Sequence, residues 1–254
     1  MKFIVFLTVF FSAGALSHTW DEPWHDDVSA NATSLGLYKV TKNYGNNIKV
    51  KLVKHLAGKK TAKKLKTSGY YLYDFVSSSS GSDDHDIWLK KDQYVYVYLM
   101  KDGRKYKLAT PTAGYDEITE DGSVAATYRH SLHKTKIDTS TYENTQICIF
   151  NVAHGKDCSE STISKYIIEP LSLRVAELSP EATQEDYDLF FKQHAALETA
   201  FLINYSLPSS VIEKFLSSSF FHVQISAVRA LSVSNDVNKV SKLSSFIGKD
   251  ENTD

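Results

Sequence analysis

Past residue 17 the chain has no apolar run long enough to span a bilayer, which argues against an integral membrane protein. It also lacks charge of one sign: 29 Lys and Arg stand against 30 Asp and Glu, without the basic excess of a dedicated nucleic-acid protein. Cysteine is confined to Cys148 and Cys158. No Gly-x-Ser-x-Gly, His-Glu-x-x-His, phosphate loop or dinucleotide fingerprint occurs, so nothing points to an enzyme and no cofactor is called for. Metal ligation finds no support either. His130 and His133 fall on opposite faces of an expected strand, and Asp83-Asp-His-Asp86 has neither the spacing nor the glycine of a calcium loop. His18 would lie at or near a newly cut amino terminus, where amine and imidazole suit Cu(II), but one residue and a terminus do not make a site.

What is present begins with Met1-Lys2, an apolar stretch through Phe11 and small residues to Ser17, the three parts of a secretory signal. A secreted, soluble, extracellular protein is expected. Two nearby cysteines in an oxidising compartment most simply form one disulfide, worth about 2 to 3 kcal/mol by the entropy it removes from the unfolded chain. Asn31-Ala-Thr33 and Asn204-Tyr-Ser206 fit the N-glycosylation pattern and imply exposed asparagines.

The segment YVYVYLMKDGRKYKL, Tyr94 to Leu108, places Asp102-Gly103 between two β-prone runs, the sign of a two-residue hairpin turn. Lys101 opposite Arg104 sets Leu99 against Tyr106 and Val97 against Leu108. One face then carries Val95, Val97 and Leu99 toward a core; the other carries Tyr94, Tyr96 and Tyr98 beside Lys105 and Lys107. That tyrosine ladder fits either burial beneath another element or a platform for a ligand or partner.

From about Leu35 to Val175 the segments are short and alternating, with strands expected at 36–40, 48–53, 70–76, 87–89, 94–100, 106–109, 124–130, 146–152 and 166–175. After Ser179-Pro180 the period becomes helical. Pro180 is expected at a first helical position, and Tyr187, Phe190, His194, Leu197 and Phe201 form one stripe. Further helices are expected after Pro208, across Val223 to Leu231, and from Asp236 to Phe246 with Gly248 as the stop. The fold class is α+β: a β-rich antiparallel barrel or sandwich, then a bundle of about four helices. The divisions are 1–17 signal, 18–175 β-rich domain, 176–248 helical domain and 249–254 flexible tail.

Leu207 to Leu231, with its "LP", "V" and "A-V-R-A-L" landmarks, resembles a single HEAT-type helical repeat. Phe220-Phe221 stands where that pattern has an acidic turn, and Gln224 where it has arginine. A β-rich part before HEAT-like helices is also similar, in order only, to the amino-terminal half of large lipid-transfer proteins. That resemblance implies a carrier of lipid or another apolar ligand.

The strongest charge feature is Lys49 to Lys66, with eight lysines and no acid. Such a run suits sulfated glycans or other anions, or it is the solvated edge by which a strand avoids pairing with other chains. The reading is a secreted, non-enzymatic binding or effector protein. It would meet an extracellular protein or sulfated glycan through Lys59, Lys60, Lys63 and Lys64, through Tyr94, Tyr96 and Tyr98, or both. The alternative is the apolar-ligand carrier.

Overall fold

The computed structural model of the chain describes residues 24–44, 47–68, 89–110, 114–129, 134–159, 161 and 163–250. The signal segment, His18, the strand expected at 70–76, most of that at 87–89, the Asp83 to Asp86 cluster, and His130 and His133 lie outside these residues. Among the described residues there are eight strands and seven helices. The strands are β1 (Ser34–Asn43), β2 (Asn47–Gly58), β3 (Lys64–Ser68), β4 (Tyr94–Asp102), β5 (Lys105–Leu108), β6 (Tyr115–Ile118), β7 (Val124–Thr127) and β8 (Lys134–Ile137). One helix, α1 (His25–Asn31), precedes them; α2 (Thr139–Ala153), α3 (Ser164–Ser172), α4 (Gln184–Leu202), α5 (Ser209–Leu216), α6 (Phe221–Ser232) and α7 (Lys239–Asp250) follow.

Five strands close a barrel in the order β1-β2-β3-β5-β4 and back to β1. The expected antiparallel pairing fails at one seam, because β3 runs parallel to β5. This order, with its one parallel pair, is that of an OB-type Greek-key barrel. β4 is the hub. One of its edges pairs with β1; the other pairs with β5 through Leu99 to Asp102 and with β6 through Val95 to Val97. From β6 the sheet continues to β7 and β8.

The hairpin register differs from expectation. Asp102 pairs with Lys105 and Leu99 with Leu108, so the turn residues are Gly103 and Arg104. Gly103 has φ +58°, and Arg104 is not among the residues with positive φ, the sign pattern of a type II′ turn rather than type I′. Each partner moves by two places. An even shift leaves every side chain on its expected face, and Val95, Val97, Leu99 and Leu108 do fill the barrel interior with Tyr38, Val40, Ile48 and Val50.

Two expected strands are helices. Gln146 to Val152 belongs to α2, whose start is capped by the Asp138 carboxylate accepting from the Thr141 N–H at 2.9 Å. Tyr166 to Val175 mostly belongs to α3, with Pro170 inside its last turn. Both read as strands because short β-branched apolar runs carry no period of their own. Conversely β3, β6 and β8 are four or five residues long and polar, so they read as loops. Helix α4 starts at Gln184, not at Pro180. Thr183 and Asp186 form a reciprocal capping box that fixes its start. The HEAT-like stretch folds as α5 and α6 packed together, and α7 runs through Gly248.

Tyr96, Val124, Ala126 and Ile137 of the sheet and Tyr128 just past β7 share one buried cluster with residues of α2, α3, α4, α5 and α6. The sequence boundary at 175/176 falls between α3 and α4, both of which enter that cluster. Cys148 of α2 and Cys158 form the disulfide, with Cα atoms 5.0 Å apart, and it closes a helix end rather than a strand and turn.

The tyrosine ladder divides. Tyr94 is 41% exposed, whereas Tyr96 and Tyr98 have no exposed surface. Tyr96 lies 4.4 Å from the Tyr142 ring and donates to Glu143 Oε1 at 3.1 Å. Tyr98 donates to Gln146 Oε1 at 2.5 Å, and His25 Nε2 meets the same oxygen at 2.8 Å. Tyr96→Ser is expected to cost about 3 kcal/mol or more, read as a lowered urea midpoint; a midpoint at the wild-type value would contradict this packing.

His25 supplies a second test. Burial holds its imidazole below the ordinary histidine range. A lowered folded value means that the unfolded chain binds the proton more readily. His25 therefore supports stability fully above about pH 6.5, and that support is lost as pH falls through the folded value. His25→Gln should flatten the wild-type loss of urea midpoint between about pH 7 and about pH 5; an unchanged pH dependence would contradict it.

Candidate anion-binding face

On the outer surface of the barrel the strand registers align lysines in two rows. Lys39 of β1 pairs with Lys51 of β2, which pairs with Lys64 of β3. Two places along, Lys42 pairs with Lys49, which pairs with Lys66. Neighbours within a row stand about 4.8 Å apart at the backbone. Tyr94 of β4 pairs with Lys39 and extends the first row by one strand.

The second row depends on an irregularity. Val40 pairs with Val50 and Lys42 with Lys49, leaving Thr41 as an extra residue in β1. Without that bulge Lys42 would follow Val40 to the barrel interior; with it, Lys42 turns outward beside Lys49. β1 then ends at Asn43, and Tyr44 projects 44% exposed. The ammonium groups of Lys42, Lys49 and Lys66 lie 4.8, 5.4 and 5.9 Å from the centre of its ring. The Lys49 ammonium beside the hydroxyl, and then Lys42, hold the Tyr44 phenol below the ordinary tyrosine range.

Neutralisation is sparse. Among the described residues Lys39 alone of these six has a carboxylate partner, Asp92 at 2.9 Å, and it also lies 5.6 Å from the Tyr94 ring centre. Lys54, on β2 with Lys49 and Lys51, is tied instead to Glu143 of α2 at 2.5 Å, where the helix begins to cover the sheet. Like charges facing each other directly across strands are destabilising. Edge protection does not account for the central pair. Lys49 and Lys51 of β2 are paired with β1 on one side and β3 on the other, whereas β3 meets β5 only at Thr67 and Ser68.

Of the lysines singled out from sequence, Lys64 falls in the first row. Lys59, Lys60 and Lys63 are exposed in the β2–β3 connection, held down at Thr61, whose hydroxyl meets that of Tyr38 at 2.8 Å. Tyr94 joins Lys64 in one row; Tyr96 and Tyr98 are on the same sheet face but beneath helices. Sequence reading missed Lys39, Lys42 and Tyr44, which precede the run. The signal was there in Asn43-Tyr-Gly-Asn-Asn47, whose composition marks a turn between two strands and so sets the residues before it beside the lysines that follow. Asn31 and Asn204 are both exposed, and Asn204 has φ +56° just past α4, a conformation that asparagine tolerates.

Other polar groups are enclosed. Asp116 accepts from the Thr127 N–H at 2.9 Å and the Tyr142 hydroxyl at 2.7 Å, and burial raises its carboxyl above the usual range. Glu198 of α4 accepts from Arg229 Nε at 2.8 Å and lies 3.7 Å from Arg129. Ser226 lies 2.6 Å from Glu198 and 3.2 Å from His194, a serine–histidine–carboxylate set by composition. All three are at most 3% exposed, and the hydroxyl donates to the carboxylate, so the geometry is that of a closed structural knot. A groove of about 820 Å³ lies between β8, α2, α3 and α4; seven of its thirteen lining residues are charged, including Lys165, Glu169, Glu185 and Lys192. Among the described residues no group of three or more His, Cys, Asp or Glu is placed to hold a metal, and no helix is long and apolar enough to cross a membrane.

No protein family matches the chain, and comparison with curated proteins and with solved structures finds no match.

A spectrophotometric titration tests the Tyr44 environment. One phenol is expected to ionise below the ordinary tyrosine range, to vanish from the curve in Tyr44→Phe, and to move upward in Lys49→Ser. A Tyr44→Phe curve identical to wild type would show that the lysines do not surround this hydroxyl.

Proposed function

We propose that this chain is a secreted, non-enzymatic binding protein that holds polyanionic partners outside the cell on the lysine face of its barrel. One observation carries the reading: like-charged rows are set in register across three strands, and the central lysines, Lys49 and Lys51, are paired on both sides and have no edge to protect. A cost of that kind, kept in the folded state, is accounted for by an anionic ligand that relieves it. The location agrees by analogy of fold alone. OB-type barrels take oligosaccharides and oligonucleotides on the surface of strands 2 and 3 and at the loop between strands 1 and 2, here β2, β3 and Tyr44. Export is supported by the signal-like first seventeen residues and by the Cys148–Cys158 pair. The carrier alternative gains nothing from the groove, whose lining is mostly charged where an apolar ligand needs apolar walls.

Heparin chromatography of the exported protein tests this. Replacing Lys42, Lys49 and Lys66 with Ser should lower the salt needed for elution and reduce the dependence of affinity on salt, as lost ion contacts release fewer counterions. The melting temperature should hold or rise by a few degrees, because the change removes facing like charges. Elution of the triple variant with wild type would overturn the proposal. Replacing Lys59, Lys60, Lys63 and Lys64 separates the contribution of the β2–β3 connection from that of the rows.

A further inference from the structure

Tyr44 is more than a bystander among the lysines. Three ammonium groups lie within 5.9 Å of one ring centre, on three different strands, and the ring's hydroxyl is held below its ordinary range, chiefly by Lys49. Lysine side chains on an open surface are flexible, and ordering them on binding costs affinity. A ring face that attracts all three gathers them before any ligand arrives. The same gathering occupies the ring with cations, which leaves it poorly placed to stack on a nucleobase, the contact that single-stranded nucleic-acid sites rely on. The rows contain no arginine, the residue suited to bidentate phosphate and base-edge recognition.

We infer that Lys42, Lys49, Lys66 and the Tyr44 hydroxyl form an anchor for one sulfate monoester of a sulfated glycan, with Lys51 and Lys64 of the neighbouring row taking the next anionic group. This rests on the polyanion reading above. Three ammoniums and one hydroxyl bring donors from several sides and suit a group with three terminal oxygens. A phosphodiester and a carboxylate each offer two free oxygens, and so fewer acceptor sites facing fewer directions. A phosphate monoester on a lipid headgroup shares the three-oxygen chemistry. The surface favours a glycan over a membrane, because the rows and Tyr94 continue the basic strip across four strands of a barrel, and the exposed rings at the rows, Tyr44 and Tyr94, are met by lysine ammoniums rather than forming a bare apolar face to enter a bilayer.

Calorimetric titration of the whole exported protein at one fixed salt concentration decides the matter. The probes are a heparin-derived oligosaccharide, the same oligosaccharide chemically desulfated, a single-stranded oligonucleotide of equal charge, and phosphatidylcholine vesicles containing phosphatidic acid. The sulfated oligosaccharide should bind roughly tenfold or more tightly than the other three, the scale of one hydrogen bond to a charged group. Tyr44→Phe keeps the ring and loses the hydroxyl, and should weaken that binding several-fold. Tyr44→Ser loses both and should weaken it further, with the circular dichroism spectrum unchanged. Equal or tighter binding of the oligonucleotide or of the vesicles would overturn the sulfated-glycan inference and leave the polyanion reading standing. Wild-type affinity in both Tyr44 variants would overturn the anchor alone. Failure of every probe to bind would overturn both readings.

Discussion

A strand buried on both faces must find partners for every polar group it carries, and β4 is such a strand. Its odd positions, Val95, Val97 and Leu99, fill the barrel; Tyr96 and Tyr98 lie beneath helices with no exposed surface. The rings supply burial and the hydroxyls set conditions. Tyr98 needs an acceptor, found at Gln146 of α2, which Tyr98 shares with His25 of α1; Tyr96 finds Glu143 one turn earlier on α2. These contacts fix where α1 and α2 sit on the outer sheet surface. Glu143 also holds Lys54 of β2, so the helix is tied to the barrel on both sides of β1.

The helices that follow are attached through charge as well as through apolar packing. Arg129, two residues past β7, donates to the His222 carbonyl at 3.0 Å and lies near Glu198; Arg229 of α6 reaches Glu198 and, at 3.4 Å, Asp26 of α1. Trp24 lies against both arginines, 5.3 and 4.6 Å from their guanidinium carbons. Burial raises the Glu198 carboxyl and lowers Arg129, while the two arginines and Ser226 oppose the rise at Glu198. Such a cluster adds little net stability over apolar packing, yet breaking one partner leaves an uncompensated buried charge. Its effect is to fix geometry: the segment before β1, the end of the sheet, α4 and α6 meet at one point.

Legibility in the sequence followed the size of the periodic signal. Helix α4 and the two faces of β4 could be read because each repeats its period several times, and the alternation survived even a wrong hairpin register. The short polar strands β3, β6 and β8 carry too few residues for a period, and α2 presents Gln146-Ile-Cys-Ile-Phe-Asn-Val152, whose β-branched content outweighs the cap at Asp138 that decides the matter. The basic character of the site was visible as a run of lysines. Its arrangement was not, since Lys39 and Lys42 join through strand pairing, and the outward turn of Lys42 comes from one extra residue at Thr41.

That extra residue explains how one sheet surface can serve two purposes. The outer face of β1 and β4 is continuous from Leu35 and Tyr98 to Lys39 and Tyr94. Over the first half α1 and α2 cover it, and the tyrosines there are core. Beyond Lys54 and Glu143 the helices end and the same face is open, so the alternation that buries Tyr96 and Tyr98 exposes Tyr94 and Lys51 and leaves Lys39 half-buried beside them. Regular pairing would then point Lys42 into the barrel among Val40, Ile48 and Val50, where an unpaired ammonium costs far more than exposed repulsion between lysines. The bulge resolves that conflict and, by the same movement, completes the second row and brings three cations to Tyr44. The closed barrel makes the repulsion tolerable, because its interior is filled independently of what the outer face carries.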